Sequence, residues 1–193
     1  MASLKSGMGS LRELLVDVKT LSGWAAKGII AAPLVDVLLG FGPPWPRQLP
    51  VITSCAELLT LLLVLSYLGG RSAKALTGSM SKFAAVTGFC FIAYAVLSSQ
   101  LIFTAPTGER FSSGLSLRPD IAPLITASYT PTEALRDGGW DPEAVWTRGS
   151  ITAARTAMIL VWISMFCSFV ACLGIFALRG KTVRHATRDP SAR

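Results

Sequence analysis

Four long apolar stretches constrain the fold of this chain more than any other feature. They cover about residues 23–42, 51–69, 83–103 and 157–178. Each is close to the roughly 20 residues that an α-helix needs to cross a hydrocarbon core of about 30 Å. With 51% hydrophobic and only 15% charged residues, the chain is more apolar than the core of a soluble protein would require. We therefore predict an all-α integral membrane protein, a single domain built as a four-transmembrane-helix bundle.

The first stretch is the least apolar of the four, because it contains Lys27, Pro33 and Asp36. A cleavable signal peptide is the alternative interpretation of this stretch. Its apolar part begins only after Lys27, however, and no A-x-A-like cleavage site closes it. We therefore interpret residues 23–42 as a membrane helix.

The basic residues lie at the ends of the predicted helices. They precede the first helix, fill the 70–82 connection and recur in the tail at 179–193. By the positive-inside rule, both termini and the 70–82 connection are cytoplasmic, and the long loop at 104–156 is extracytoplasmic. The predicted location is the plasma (inner) membrane. The net charge of +7 then reflects membrane topology and does not indicate nucleic-acid binding.

Signatures of catalysis and of metal binding are missing from the sequence. All four cysteines fall inside predicted helices, and the only histidine, His185, lies in the tail. Haem held by intramembrane histidines and most metal chemistry are thereby excluded. The motifs of serine hydrolases, zinc proteases, P-loop enzymes and dinucleotide-binding enzymes do not occur. We predict no cofactor, no metal site and no enzymatic activity.

Two segments outside the spans carry helix signals of their own. Residues 10–21 are amphipathic, and Ser10 and Glu13 have capping-box spacing, which predicts an N-terminal interfacial helix. In the 104–156 loop, Thr130 before Pro131 and Asp141 before Pro142 predict the starts of two short helices. We expect this loop to be helical and to pack as a cap on the bundle. The predicted interface anchors are Trp45, Trp140 and Trp146.

Two carboxylic acids within the spans are the candidate functional residues. Asp36 and Glu57 flank the stiff turn GPPWPRQLP, and each lies about 10 Å below the outer surface at 1.5 Å per residue. An acid near the bilayer centre costs about 2.5–3.5 kcal/mol, so both should face protein or water. Arg155, just outside the fourth helix, is the possible partner of one acid, and Lys27 is a poorer one. Structural pairing and a functional role both remain open.

Polar and small residues share a face on each predicted helix. Those near the acids would line an ion path, namely Thr53, Thr60, Tyr94 and Ser98. Those that permit close helix packing are Gly28, Ala32, Gly40, Ser164 and Ser168. Hydroxyl and small residues also hold membrane helices together in proteins of any function, so packing alone is the alternative for all of them.

The stretch PLVDVLLGFGPPWPRQLPVITSCAELLTLLLVL, residues 33–65, resembles the start of small bacterial four-helix membrane effectors. Such effectors act in anti-phage defence and nucleotide-signalling systems. The resemblance implies a membrane part that assembles into a pore or disrupts the membrane.

The sequence thus favours a homo-oligomeric channel or pore-type membrane effector with an acidic, cation-attracting path. The alternative is a non-enzymatic accessory or assembly subunit of a larger membrane complex, which docks through the 104–156 loop. A proton-coupled carrier is a third hypothesis, weakened by the small number of helices and the lack of an internal repeat. In each case the partners are the lipid bilayer and either further copies or other membrane subunits.

Overall fold

The computed structural model describes residues 42–188, except residues 47 and 127. Helices dominate this part of the chain. In chain order the helices and strands are α1 (Leu49–Leu68), α2 (Ala73–Leu101), β1 (Ile102–Thr104), β2 (Arg110–Ser112), a 3₁₀ turn (Ala122–Leu124), α3 (Pro131–Asp137), α4 (Pro142–Val145) and α5 (Arg148–Arg188). We call residues 102–147, which join α2 to α5, the connecting segment.

Three of these helices are long and apolar enough to cross a membrane. They are Leu49–Leu68, Ala73–Leu101 and Arg148–Gly180. They correspond to the second, third and fourth predicted spans. The first predicted span, 23–42, and the interfacial helix at 10–21 lie outside the described residues. The count of four transmembrane helices therefore stays a prediction.

Two of the spans begin earlier than the apolar pattern indicates. The pattern places their starts at 83 and 157, whereas α2 begins at Ala73 and α5 at Arg148. An apolar run is read from the sequence as starting after the nearest charged residue, which is Lys82 for one run and Arg155 for the other. Backbone hydrogen bonding does not end there, because neither extension contains a proline. The residue before α2, Ser72, accepts a hydrogen bond on its hydroxyl from the Ala75 N–H, 3.5 Å away, as helix-capping serines do.

The described residues form two compact units. The first comprises Pro50–Thr87 and the part of α5 from Phe166 onward, and the second comprises Gly42–Leu49 and Gly88–Met165. The core of the first unit joins α1, α2 and α5. Its buried residues are Leu61, Val64, Leu65, Leu76, Val170, Ala171, Ile175 and Leu178.

The connecting segment, in the second unit, begins with a β-hairpin that the helical pattern of the loop did not predict. β1 and β2 pair antiparallel, with Phe103 opposite Phe111 and Thr104 opposite Arg110. The turn between them contains Gly108, whose φ of 84° is in the left-handed region that favours glycine. Three-residue strands carry too little alternation to stand out in a sequence, so a wholly helical loop was an incomplete description.

The two short helices of the connecting segment begin at the residues that the sequence indicates. Thr130 caps α3 in a full capping box with Glu133, and Pro131 follows it. Asp141 caps α4 by accepting a hydrogen bond from the Glu143 N–H, 3.0 Å away. These helices enclose a small hydrophobic core with the start of α5. Its buried residues are Ala134, Leu135, Val145, Trp146 and Ile151.

Candidate functional site

The two sides of α1 differ in exposure. Its buried face contains Thr53, Glu57, Leu61 and Val64, whose spacing of three and four residues places them on one side of a helix. The opposite side is aliphatic and between 46% and 65% exposed, and it consists of Val51, Ile52, Leu58, Leu59, Leu62 and Leu63. The acid is directed inward and the aliphatic side chains outward. The cost of an acid in lipid predicts this arrangement.

Glu57 is fully buried, with 0% of its surface exposed. Neither of its carboxyl oxygens has a hydrogen-bond partner among the described residues. A buried polar group without a partner costs free energy, because it has given up its water and gained nothing in exchange. Among the described residues, nothing offsets the cost of burying the Glu57 carboxyl.

Two threonines lie one helical turn from Glu57 on α1. Thr60 Oγ1 donates to the Ala56 carbonyl oxygen, 2.8 Å away, so its proton is used within α1. Thr53 lies one turn before Glu57 on the same buried face and is itself buried. The second predicted acid, Asp36, lies outside the described residues, so its proximity to Glu57 stays a prediction.

Tyr94 and Ser98, two further residues of the predicted path, lie on α2 in the second unit. Tyr94 is fully buried, and its ring centroid is 5.0 Å from that of Trp162, with the planes tilted by 54°. Ser98 Oγ donates to the Tyr94 carbonyl oxygen, 2.6 Å away. Thr53, Glu57 and Thr60 belong to the first unit. That one path passes all five residues is therefore an expectation from the sequence.

Arg155, the possible partner of an acid, stacks on Trp45 in the second unit. The guanidinium carbon of Arg155 is 5.2 Å from the centroid of the Trp45 ring. Arg155 Nε and Trp45 Nε1 are both buried, and neither donates to an acceptor within the described part of the chain. The turn that carries Trp45 is tied to the hairpin, because Arg110 Nη1 donates to the Gly42 carbonyl oxygen at 3.3 Å. Pairing of Arg155 with an acid stays a prediction.

The other two predicted anchors, Trp140 and Trp146, belong to the hydrophobic core of the connecting segment. Trp146 is buried, and its ring centroid is 5.8 Å from that of Phe103 on β1. Trp140 is half-buried against the same core and has a φ of 66°. Both residues have a packing role in this unit. Their position at a membrane interface stays a prediction.

Arg118, a residue without a predicted role, forms several hydrogen bonds within the connecting segment. Its Nε and Nη2 donate to the two carboxylate oxygens of Asp120 at 3.0 and 2.8 Å, and its Nη1 donates to the Glu143 carbonyl oxygen at 3.2 Å. The hydrogen bond from Arg118 holds the pKa of the Asp120 carboxyl below its usual range. An arginine two residues before an aspartate is the only sequence signal for this pair.

Ser168, one of the residues predicted to pack helices, contacts the neighbouring helix α2. Its hydroxyl oxygen is 3.0 Å from that of Thr87, and this hydrogen bond connects α5 to α2. Ser164 is exposed, and Gly28, Ala32 and Gly40 lie outside the described residues. A close approach between α5 and α1 involves a residue that was not predicted. A Cβ on Gly174 would lie 3.0 Å from Leu61 Cδ1 and 3.2 Å from Val64 Cγ1.

The chemistry available at the buried face of α1 is that of a single carboxyl group. Among the residues that the structure describes, no group of three or more His, Cys, Asp or Glu side chains could hold a metal ion. A lone carboxyl can bind a proton, attract a cation or accept a hydrogen bond. No family model, curated protein or solved structure matches this chain significantly.

Proposed function

We propose that this chain assembles from several copies into a channel or pore-type effector of the inner membrane, in which Glu57 attracts cations. The observation that carries the proposal is the complete burial of Glu57 without a hydrogen-bond partner among the described residues. A purely structural acid would be expected to have a donor beside it. A passing cation or a bound proton would offset the cost of burying this carboxyl.

The apolar surface of the spanning helices supports assembly in a membrane. α2 exposes Phe89, Phe91, Ile92 and Val96, by between 52% and 74%. In water such a surface would drive aggregation, whereas lipid tails or a second copy of the chain cover it at no cost. Rings of acidic side chains contributed by several copies are a known way to select cations.

The resemblance of residues 33–65 to membrane effectors of anti-phage defence supports the effector part of the proposal. The basic 70–82 connection and the basic tail favour cytoplasmic termini. An effector with this orientation would receive its trigger from the cytoplasm and act on the membrane itself. It would have no enzymatic activity.

The test is single-channel recording of the purified protein in planar bilayers. We expect discrete, cation-selective steps from the wild type. Glu57→Gln removes the charge and should reduce conductance and cation selectivity, whereas Glu57→Asp keeps the charge and is the matched control. Cation-selective steps that Glu57→Gln leaves unchanged would remove Glu57 from the path.

A non-enzymatic accessory subunit is the second candidate, and one observation favours it. The connecting segment has its own small core and yet exposes Leu115 by 65% and Leu124 by 56%. Aliphatic side chains on a folded connecting segment offer a docking surface to a partner protein. This candidate predicts silent bilayers, co-purification with an unrelated membrane protein, and loss of that partner in a Leu115→Ser/Leu124→Ser double variant.

A further inference from the structure

Arg155 lies at the edge of the longest uncharged run in α5. Residues 156–178 contain no charged side chain, and Arg155 and Arg179 flank them. These 23 residues span about 35 Å as a helix, which matches a hydrocarbon core of about 30 Å. Arg155 is therefore expected at the level of the lipid headgroups, at the end of the helix that faces the connecting segment.

Arg155 has a tryptophan at its side, and that tryptophan packs against apolar residues. The guanidinium carbon is 5.2 Å from the Trp45 ring centroid. Trp45 itself packs against a cluster formed by Leu101, Ala154 and Met158. A cation held against apolar surface has lost part of its hydration and gains more than usual from an anion within reach.

Two hydrogen-bond donors at this place are unused. Arg155 Nε–H and Trp45 Nε1–H are buried and donate to no described residue. The ion pairs that the described residues form, Arg118 with Asp120 and Arg148 with Glu143, do not include Arg155. Both Arg155 and Trp45 are only half-buried as whole residues, so the pair lies partly at the surface, and a ligand that bonds to the two buried donors must displace the atoms that cover them.

We propose that Arg155 and Trp45 form a binding site for the phosphate group of a membrane lipid. Guanidinium groups bind phosphate oxygens with two parallel hydrogen bonds, and an indole N–H adds a third donor. Headgroup phosphates are the most abundant anions at the depth where Arg155 lies. The site does not depend on the proposed channel, because neither residue belongs to the path around Glu57.

The test uses the full chain in detergent and a short-chain phosphatidylglycerol as the probe. Binding is measured as the rise in melting temperature during titration, with the matching diacylglycerol and inorganic phosphate as separate arms. We expect phosphatidylglycerol to bind, diacylglycerol to have little effect, and inorganic phosphate to bind far more weakly. Equal effects of phosphatidylglycerol and diacylglycerol would overturn a phosphate site. Inorganic phosphate binding as well as the lipid does would overturn the lipid as its source.

The variants assign the binding to this pair. Arg155→Gln should weaken phosphatidylglycerol binding by at least about tenfold, because charge-assisted hydrogen bonds are lost. Trp45→Phe, which keeps a ring and removes the indole N–H, should weaken it less. The matched control is Arg148→Gln on the same helix, where the arginine side chain is 85% exposed and 3.7 Å from Glu143. The proposal fails if Arg155→Gln and Trp45→Phe bind the lipid as well as Arg148→Gln does.

Discussion

Gly174 of α5 lies so close to Leu61 of α1 that a Cβ on Gly174 would be 3.0 Å from Leu61 Cδ1. Small residues allow membrane helices to approach in this way, and the close approach increases the van der Waals contact between them. Leu61 lies one helical turn after Glu57 on α1. The contact at Gly174 and the buried acid therefore lie on the same face of α1.

Enlarging Gly174 should destabilise the first unit. Gly174→Leu places a large side chain where even a methyl group is crowded, and overpacking of this kind costs about 1–3 kcal/mol. The measurement is the melting temperature in detergent. Gly180→Leu is the matched control, because a Cβ at Gly180 meets no atom within 4 Å. Equal melting temperatures for the two variants would contradict the close α1–α5 contact.

Replacing Glu57 by an apolar residue should stabilise the protein while it removes the proposed function. Glu57→Leu eliminates a buried carboxyl that has no donor among the described residues. We expect a gain of about 1–3 kcal/mol in the free energy of unfolding. Thr60→Val serves as control, since the Thr60 hydroxyl is bonded within its own helix. A loss of stability in Glu57→Leu would instead reveal a partner and favour structural pairing of the acid.

The connecting segment should tolerate no side chain at Gly114. A Cβ there would lie 2.6 Å from Trp146 Cβ, which is a rigid atom, and would also collide with Ser150 Oγ. Gly114→Ala is therefore expected to loosen the core around Trp146, at a cost of about 1–3 kcal/mol. The rate of limited proteolysis of the connecting segment measures this loosening. Gly149→Ala, which meets no atom within 4 Å, should be cleaved as slowly as the wild type.

Thr130→Ala should shorten or fray α3. The Thr130 hydroxyl accepts from the Glu133 N–H, and the Glu133 carboxylate accepts from the Thr130 N–H at 2.6 Å. Loss of a threonine cap costs about 0.5–2 kcal/mol. Hydrogen exchange of the α3 amides measures the effect, and Thr130→Ser should restore protection because serine caps equally well. Failure of serine to do so would show that the methyl group of Thr130, rather than its hydroxyl, matters.

The Arg118–Asp120 pair should make the connecting segment sensitive to acid. The pKa of Asp120 is lowered in the folded state, so its stabilising contribution is present above the ordinary carboxyl pKa of about 4 and is lost as the pH falls through the lower folded value. The change should be small and weaker at high salt, because the pair is exposed. Hydrogen exchange of the Arg118 N–H, which donates to the Val145 carbonyl oxygen, measures it between pH 5 and 3. In Asp120→Asn this acid-dependent step should be absent.

Patterns that are local in sequence predicted the local parts of the structure. The apolar runs at 51–69, 83–103 and 157–178 correspond to α1, α2 and α5, because span length and composition are properties of the run itself. The starts of α3 and α4 were recognisable because a cap and a proline stand side by side in the chain. The hairpin was missed, since pairing between residues 102–104 and 110–112 is a property of two segments rather than one.

The candidate site was predictable only in part. An acid within an apolar run predicts an inward-facing side chain, and Glu57 is buried. What surrounds that acid depends on helix rotation and packing, which a single sequence does not encode locally. Arg155 likewise stood out as a charge at a span end, but its stacking on Trp45 joins residues 110 positions apart in the chain.

The helix α5 runs unbroken from Arg148 to Arg188, which corresponds to about 60 Å. That is about twice the thickness of the hydrocarbon core, so α5 has more turns than one membrane crossing needs. The turns that a single crossing does not use are left for contacts outside the hydrocarbon, with the connecting segment near Arg148 and with headgroups or water near the basic residues that begin at Arg179.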